Sequence, residues 1–184
     1  EGISTIIATP HHRSRMFDNY KQDIETSVSI LNELLKEENI PLTVVPGKEV
    51  RIYGEILEDF EKGDIKTLHH SKYVLIEFPT GEVPQYAEKL LYDMQIAGLL
   101  PIIAHPERNQ ELLENPDRMY ELIRVGALAQ VTAASLLGKF GKEIEQFSYQ
   151  LIEANLIHFI ASDAHNTSSR CFYMKEAYDR IKDV

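Results

Sequence analysis

Short apolar runs alternate with stretches of helical periodicity along the whole chain. The pattern predicts helices over residues 19–38, 84–97, 142–154 and 170–182, with another that starts at 115. The apolar runs predict six short strands, one of them Leu128–Thr132. Strands that alternate with helices are typical of βα units. We therefore expect an α/β fold with parallel strands, in a single domain over residues 1–184.

The segment 19–38 has the clearest helical pattern. Its apolar positions recur at spacings of three and four residues, which places them on one face of a helix. These positions are Ile24, Val28, Leu31 and Leu35. Gly98 and Gly126 are predicted to end two later helices, because glycine readily adopts the left-handed conformation that follows many helices.

Five apolar runs end in side chains that bind metals. A buried strand has no internal need for such groups, because desolvating them costs several kcal/mol unless they find partners. In parallel sheets and barrels the carboxyl ends of the strands lie on one face, so distant ligands can meet around one ion. The candidate metal ligands are His11, Glu49, Glu77, His105, Asp163 and His165.

The types of these side chains indicate the chemistry. Imidazoles with carboxylates and no thiolate suit manganese, iron or zinc, and they exclude a zinc finger. Six candidate ligands are more than one four-coordinate ion needs, and we therefore expect two or three ions about 3.5–4 Å apart. Clustered ions of this kind are suited to the hydrolysis of phosphate esters. Arg108 and Arg170 follow two of the ligands and could hold a phosphate with their planar guanidinium groups.

Neighbouring polar residues leave alternatives open. His11 and His12 point in opposite directions if the backbone is extended, so only one is expected to bind metal, and His11 is chosen. Glu107 is as readily explained by exposure as by function, and Lys48 by pairing with an acid. His158 starts a strand, at the end opposite to the other candidates, and is left out.

The distribution of the candidates also bears on the architecture. No glycine-rich dinucleotide or Walker-type phosphate motif occurs in the sequence. Open sheets gather most ligands at one switch point between two or three strands, whereas a barrel brings nearly every strand end together. Ligands at five strand ends therefore favour a barrel.

Composition and charge exclude several classes of protein. The chain has 184 residues, is 43% hydrophobic and carries a formal charge of −10. This charge argues against a nucleic-acid partner. No apolar run approaches the roughly 20 residues of a membrane span, and no signal-peptide pattern is visible, so we expect a cytoplasmic protein without membrane insertion. The lone cysteine, Cys171, excludes an internal disulfide and is not expected to be a nucleophile.

Several motifs together resemble one protein family. They are ATPHH (8–12), PGKEVRIYGE (46–55), LIEFP (75–79), PIIAHPERN (101–109) and FIASDAHN (159–166). In this order they closely resemble the bacterial tyrosine phosphatases of the PHP (polymerase and histidinol phosphatase) family that are associated with capsule and exopolysaccharide loci. The resemblance implies a distorted (β/α)7 barrel and a trinuclear site that usually uses manganese. It also implies hydrolysis of phosphotyrosine on a partner tyrosine kinase.

The resemblance also implies a role for each candidate. Glu49 would bridge two metals, one of which Glu77 and His105 would complete, while Asp163 would serve the other. His11 and His165 would serve the third metal. Arg108 and Arg170 would hold the substrate phosphate, and water activated by metal would be the nucleophile.

One departure from the family pattern concerns the first strand. Family members open with a strand that carries His-x-His, followed by an Asp and a helix, and these 184 residues contain no His-x-His. Two explanations stay open: the whole protein is longer than these 184 residues, or the chain forms a barrel that lacks its first strand and helix, with exposed edges that favour a homo-oligomer. The alternative to an active phosphatase is a non-catalytic relative that binds metal, phosphate or the kinase without turnover.

Overall fold

The computed structural model describes residues 2–12 and 19–182. These residues form two compact units. The amino-terminal unit comprises Gly2–Glu77 with Asp93–Pro101, and the carboxy-terminal unit comprises Phe78–Tyr92 with the chain from Ile102 onward. The expected single domain stays a prediction.

The amino-terminal unit consists of short strands and two helices. Its elements are β1 (Thr5–Ala8), β2 (His11–His12), α1 (Lys21–Glu37), β3 (Thr43–Pro46), β4 (Glu49–Arg51), α2 (Ile56–Glu61), a 3-10 turn (Leu68–His70) and β5 (Tyr73–Glu77). β1 pairs with β3, and β4 lies between β2 and β5, with every pair parallel.

Two predicted strands are each divided into two shorter ones. The sequence predicts that His11 and Glu49 follow a strand, but each of them begins a new one, β2 and β4. Pro10 has no N–H to continue a ladder. The Gly47 N–H donates to the carbonyl of Ala8 (2.8 Å), and the Glu49 N–H donates to that of Pro10 (3.1 Å). The backbone hydrogen bonds thus continue across the break and set His11 opposite Glu49.

Gly47 lies at a close approach between three segments. A Cβ at this position would lie 2.8 Å from Ile7 Cγ2, 2.9 Å from Leu68 Cδ2 and 3.2 Å from Thr9 Cγ2. Any larger residue would push these side chains apart. Space therefore favours glycine two residues before Glu49, because any side chain there would need Ile7 and Leu68 to shift.

Helix α1 agrees closely with its predicted range but only in part with its predicted apolar face. Ile24 is buried, whereas Leu31 is 43% exposed. A polar side chain joins the helix to β3: the Asn32 amide donates to the Val44 carbonyl (2.7 Å), and its oxygen accepts from the Val44 N–H (2.8 Å). This contact was not predicted from the sequence, because periodicity considers only apolar positions.

The carboxy-terminal unit repeats the βα pattern more regularly. The remaining elements of the chain are α3 (Ala87–Ile96), β6 (Leu100–Ala104), a 3-10 turn (Pro106–Arg108), α4 (Gln110–Glu114), α5 (Asp117–Arg124), β7 (Leu128–Thr132), α6 (Ala133–Leu136), α7 (Lys142–Glu153), β8 (Phe159–Ala161) and α8 (Met174–Ile181). β7 pairs in parallel with β6 and with β8. Val131, Leu136 and Ala177 are fully buried in the core of this unit.

The predicted class is confirmed: the chain has an α/β fold with parallel strands. Over residues 2–12 and 19–182 the structure has eight short strands rather than six, because of the two breaks described above. Gly98 and Gly126 have the positive φ expected of helix stops. No helix in these residues is long and apolar enough to span a bilayer.

Candidate metal centre and anion-binding arginines

Three of the predicted ligands meet in the amino-terminal unit. His11, Glu49 and Glu77 each offer one ligand atom, and these atoms lie within 4.8 Å of one another. His11 Nδ1 is 3.4 Å from Glu49 Oε2 and 3.6 Å from Glu77 Oε2. One imidazole and two carboxylates form a donor set that suits manganese, iron or zinc. The residues therefore fit a divalent metal.

The strand register explains why these side chains converge. His11 pairs directly with Glu49 across β2 and β4, and Arg51 pairs with Glu77 across β4 and β5. Because side chains alternate along a strand, Glu49 and Arg51 lie on the same face of β4. Neighbouring strands of one parallel sheet thus bring together residues separated by up to 66 positions in sequence.

The two carboxylates of this centre are poorly accessible to water. The side chain of Glu49 is 6% exposed and that of Glu77 is 17% exposed, whereas that of His11 is 37% exposed. Arg51 Nη1 donates to Glu77 Oε2 at 3.2 Å. Burial of two carboxylates so close together is costly unless positive charge or hydrogen bonds compensate for it. A cation bound at His11 would supply such compensation.

A second cluster, in the carboxy-terminal unit, is centred on Asp163. Its Oδ2 accepts hydrogen bonds from Arg108 Nη2 (2.8 Å) and from Arg170 Nη2 (2.6 Å). His165 Nδ1 lies 3.6 Å from Asp163 Oδ1. Two guanidinium groups therefore converge on one anionic oxygen, which is the arrangement needed to bind a phosphoryl oxygen.

The loop after β8 positions Arg170. The Asn166 side-chain oxygen accepts from the Arg170 N–H (3.0 Å) and from the Ser168 N–H (2.9 Å). The His165 N–H donates to the Arg170 carbonyl (2.9 Å). Asn166 thus closes the loop that carries the arginine. Its place in FIASDAHN was visible in the sequence, but its role as a loop organiser was not predicted.

His105 lies in the carboxy-terminal unit and begins the turn that carries Arg108. It has a left-handed backbone conformation with φ of 36°, which is unusual for a residue with a side chain. Its N–H donates to the Gln130 carbonyl (2.8 Å), and its carbonyl accepts from the Arg108 N–H (3.1 Å). The joint role predicted for His105 with Glu49 and Glu77 stays a prediction.

Glu107 is not exposed, although the sequence left open that it is a surface residue. It is fully buried, and its carboxylate is held by Thr132 and Ser135. Lys48 is also buried, with 2% of its surface exposed. These residues look like surface charges in the sequence. The contacts that bury them come from residues far away along the chain, and such contacts leave no pattern in the neighbouring sequence.

Two side chains excluded as sites have structural contacts. His158 Nδ1 accepts from the Ala129 N–H (3.2 Å), and burial lowers the pKa of its imidazole. Cys171 is half-buried, with its Sγ 2.7 Å from the Ser168 carbonyl. Their omission from the candidate ligands and nucleophiles stays a prediction.

Comparison with known proteins gives consistent matches over nearly the whole chain. A family model described as "Capsular polysaccharide synthesis, CpsB/CapC" matches residues 1–183. The protein named tyrosine-protein phosphatase YwqE of Bacillus subtilis (strain 168) is 51% identical over 177 residues, which are 96% of this chain and 70% of that protein. Tyrosine-protein phosphatase CpsB of Streptococcus pneumoniae is 33% identical, over 98% of this chain and 76% of that protein.

A solved structure is also similar to this one. It matches with a TM-score of 0.96 and 50% sequence identity, over 98% of this chain and 73% of the other. It comes from a study of "YwqE from Bacillus subtilis and CpsB from Streptococcus pneumoniae, unique metal-dependent tyrosine phosphatases".

Proposed function

The chain belongs to the CpsB/CapC family, and from this premise we propose that it is a metal-dependent protein-tyrosine phosphatase, which hydrolyses phosphotyrosine on a protein. The observation that carries the proposal is the presence of two clusters of complementary chemistry. One joins an imidazole to two carboxylates, which suits a cation. The other joins two guanidinium groups at one point, which suits an anion. Hydrolysis of a phosphate monoester by metal needs both.

The amino-terminal cluster would hold the metal. We assign His11, Glu49 and Glu77 as ligands, with the buried Glu49 as the residue whose charge matters most. When bound, a divalent ion supplies Lewis-acid chemistry and makes water acidic enough to yield hydroxide near neutral pH. We propose manganese, with iron or zinc as alternatives, and two or three ions if His105, Asp163 and His165 also bind metal.

The arginines would hold the substrate. Arg108 and Arg170 each present a planar fork, and the 2.8 and 2.6 Å contacts with Asp163 Oδ2 match charge-assisted hydrogen bonds. With a phosphoryl group, the same donors would neutralise charge that grows on its oxygens during attack by water. The mechanism requires no covalent phosphoenzyme and no contribution from Cys171.

The finer parts of the proposal rest on the family resemblance. We propose a distorted (β/α)7 barrel architecture, a cytoplasmic location for this chain, and a tyrosine kinase of capsule or exopolysaccharide synthesis as the phosphoprotein. We also propose association of this chain into a homo-oligomer. The family match describes capsular polysaccharide synthesis, which supports the choice of such a kinase as substrate.

The test is metal-dependent release of phosphate from a phosphotyrosine peptide. The 184-residue chain is stripped of metal, checked for folding by circular dichroism, and returned to increasing manganese. We expect turnover that depends on manganese and is much slower with a matched phosphoserine peptide. A folded chain that binds manganese but releases no phosphate would refute the proposal and favour the non-catalytic alternative.

A matched pair of variants locates the chemistry. Glu49→Gln removes a buried carboxylate, whereas Glu114→Gln makes the same change on an exposed residue at the end of α4. We expect turnover to be lost in the first variant and kept in the second. Equal turnover in both would refute the proposed ligand set.

A further inference from the structure

Glu107 is a fully buried carboxylate next to a proposed phosphate-binding residue. It lies in the 3-10 turn that connects β6 to α4, with 0% of its surface exposed. Its Oε1 accepts from the Thr132 N–H (3.0 Å), from the Thr132 hydroxyl (3.0 Å) and from the Ser135 hydroxyl (2.7 Å). Thr132 is the N-cap residue of α6. Glu107 therefore ties the turn to the end of β7 and the start of α6.

This arrangement is costly and asymmetric. A buried carboxylate loses several kcal/mol of hydration, and hydrogen bonds must compensate for this loss. Three donors meet Oε1, while the buried Oε2 has no hydrogen-bond partner within residues 2–12 and 19–182. A smaller apolar residue could occupy the interior at less cost. The carboxylate thus acts as a fixed attachment point for the turn rather than as a favourable packing group.

Asn109 holds the same turn from its other end. Its side-chain N–H groups donate to the carbonyls of Pro79 (2.7 Å) and Glu82 (3.0 Å), and its oxygen accepts from the Leu112 N–H (3.1 Å). Asn109 is only 4% exposed. The residue between the two attachment points is Arg108, and its position is therefore set by side chains on both sides of it.

Arg108 itself is oriented away from these attachments. Its Nη2 donates to Asp163 (2.8 Å), and its guanidinium carbon lies 5.1 Å from the centre of the Phe140 ring. A long flexible side chain loses considerable entropy when it is held in one place. A rigid backbone at its base reduces the number of positions that the guanidinium can take, so less is lost when a phosphate binds.

We propose that Glu107 is a positioning residue, which holds the backbone at Arg108 so that the guanidinium is placed to bind a phosphoryl group. The proposal rests on the function proposed above, because it takes Arg108 as a phosphate ligand. It assigns to Glu107 no contact with the substrate or the metal. Its effect on binding should therefore pass entirely through Arg108.

The test is a double-mutant cycle on phosphate binding. Glu107→Gln keeps the size of the side chain but replaces the charged acceptor of the three donors with a neutral amide oxygen and places an NH2 at the buried position of Oε2, so the turn is held less firmly. We expect inorganic phosphate, measured by calorimetry on the manganese-loaded chain, to bind about tenfold more weakly, since small displacements of binding groups are costly. Glu114→Gln is the control, with no expected change.

The cycle separates positioning from general destabilisation. In an Arg108→Ala background, Glu107→Gln should have almost no further effect on phosphate binding, because the group on which it acts is gone. Equal losses in both backgrounds would overturn the proposal, and so would unchanged binding in the single variant. Manganese affinity, measured in parallel, should not change.

A milder variant guards against loss of folding. Ser135→Ala removes one of the three donors and is expected to weaken phosphate binding about threefold, again only when Arg108 is present. A chain that binds phosphate but hydrolyses no phosphotyrosine would refute the proposed function. The double-mutant cycle would still test the positioning role of Glu107, because calorimetry measures binding and not turnover. A wild-type chain that binds no phosphate would overturn the positioning role as well.

Discussion

The two clusters use the same kinds of side chain in opposite arrangements. In the amino-terminal unit, the His11 imidazole lies between two carboxylate oxygens, at 3.4 and 3.6 Å. In the carboxy-terminal unit, one carboxylate oxygen of Asp163 lies between two guanidinium groups, at 2.8 and 2.6 Å. Carboxylate oxygens converge on an imidazole in the first cluster, and guanidinium N–H donors converge on a carboxylate in the second. The first is suited to a cation and the second to an anion.

This difference shows that an acidic residue after a strand does not define a metal site by itself. Glu49 and Asp163 are similar in sequence context, since both follow apolar runs and both were predicted as metal ligands from that position. Their neighbours differ: Glu49 lies opposite a histidine, whereas Asp163 accepts from Arg108 and Arg170. The partners of the two carboxylates thus differ in charge, and the metal-binding role predicted for Asp163 stays a prediction.

The largest effect is expected from Glu49→Gln. The change removes a buried negative charge from the cation cluster, so we expect the rate of phosphotyrosine hydrolysis to fall at least a hundredfold, as with losses of other key electrostatic groups. Steady-state rates at saturating manganese measure it, with Glu114→Gln as the control. Nearly full activity would mean that the cluster of His11, Glu49 and Glu77 is not the metal centre.

Arg170→Ala should have the next largest effect. Removal of one of the two guanidinium groups costs a charged hydrogen bond to the phosphoryl group, which corresponds to about a thirtyfold loss in kcat/KM. Manganese affinity should stay within about twofold of the wild type. A variant with weakened manganese binding and unaltered phosphate inhibition would contradict the division of roles between the two clusters.

Arg51→Gln is expected to strengthen the binding of manganese rather than to weaken a function of the protein. Arg51 Nη1 donates to Glu77 Oε2 at 3.2 Å, and Glu77 is one of the residues that would hold the metal. Loss of its positive charge should strengthen manganese binding about fivefold, as expected for one unit charge a few ångströms away in a partly hydrated site. Calorimetric titration of the stripped chain measures it, with Arg124→Gln on the exposed surface as the control. Weaker binding would show that Arg51 mainly orients Glu77.

The smallest effect, on the stability of the fold, is expected from the ion pair between Lys66 and Glu25. The hydrogen bond from the buried Lys66 ammonium to Glu25 lowers the pKa of that carboxyl below its ordinary value of 4.5. A carboxyl with a lowered pKa in the folded state stabilises the protein above its ordinary pKa, and this contribution is lost as the pH falls below about 4.5. Glu25 is 42% exposed, so the loss should be well under about 1 kcal/mol.

Comparison of urea unfolding at pH 7 and pH 4 measures that contribution. Glu25→Gln should be less stable than the wild type at pH 7 and should approach it at pH 4. A difference that does not depend on pH would mean that Glu25 acts through packing rather than through its charge.

Much of the fold was predictable because its signals are local. Apolar periodicity placed α1 within two residues at its start and one at its end, and it gave β7 exactly as Leu128–Thr132. The breaks between β1 and β2 and between β3 and β4 were not predicted. They depend on backbone contacts between segments about 40 residues apart, such as that of Gly47 with Ala8.

The candidate site was predictable to the same extent. His11, Glu49 and Glu77 were selected from their positions after apolar runs, and the structure brings them together. Glu107, Asn109 and Asn166 were missed as organisers, because their importance comes from partners that are distant in sequence or from the shape of a loop. A single sequence identifies the polar residues of a motif. It does not readily separate the residues that bind metal or substrate from the residues that position them.

Gly47 has a consequence for how this protein tolerates sequence change. It contributes no ligand and no hydrogen-bonding side chain, yet a single methyl group there would lie within 3 Å of atoms from both Ile7 and Leu68. Unless these side chains moved aside, the backbone that leads to Glu49 would have to shift. In a deep mutational scan selected for phosphatase activity, Gly47 should therefore appear as intolerant as a metal ligand. Such scans would record as catalytic a position that contributes no side chain to the site.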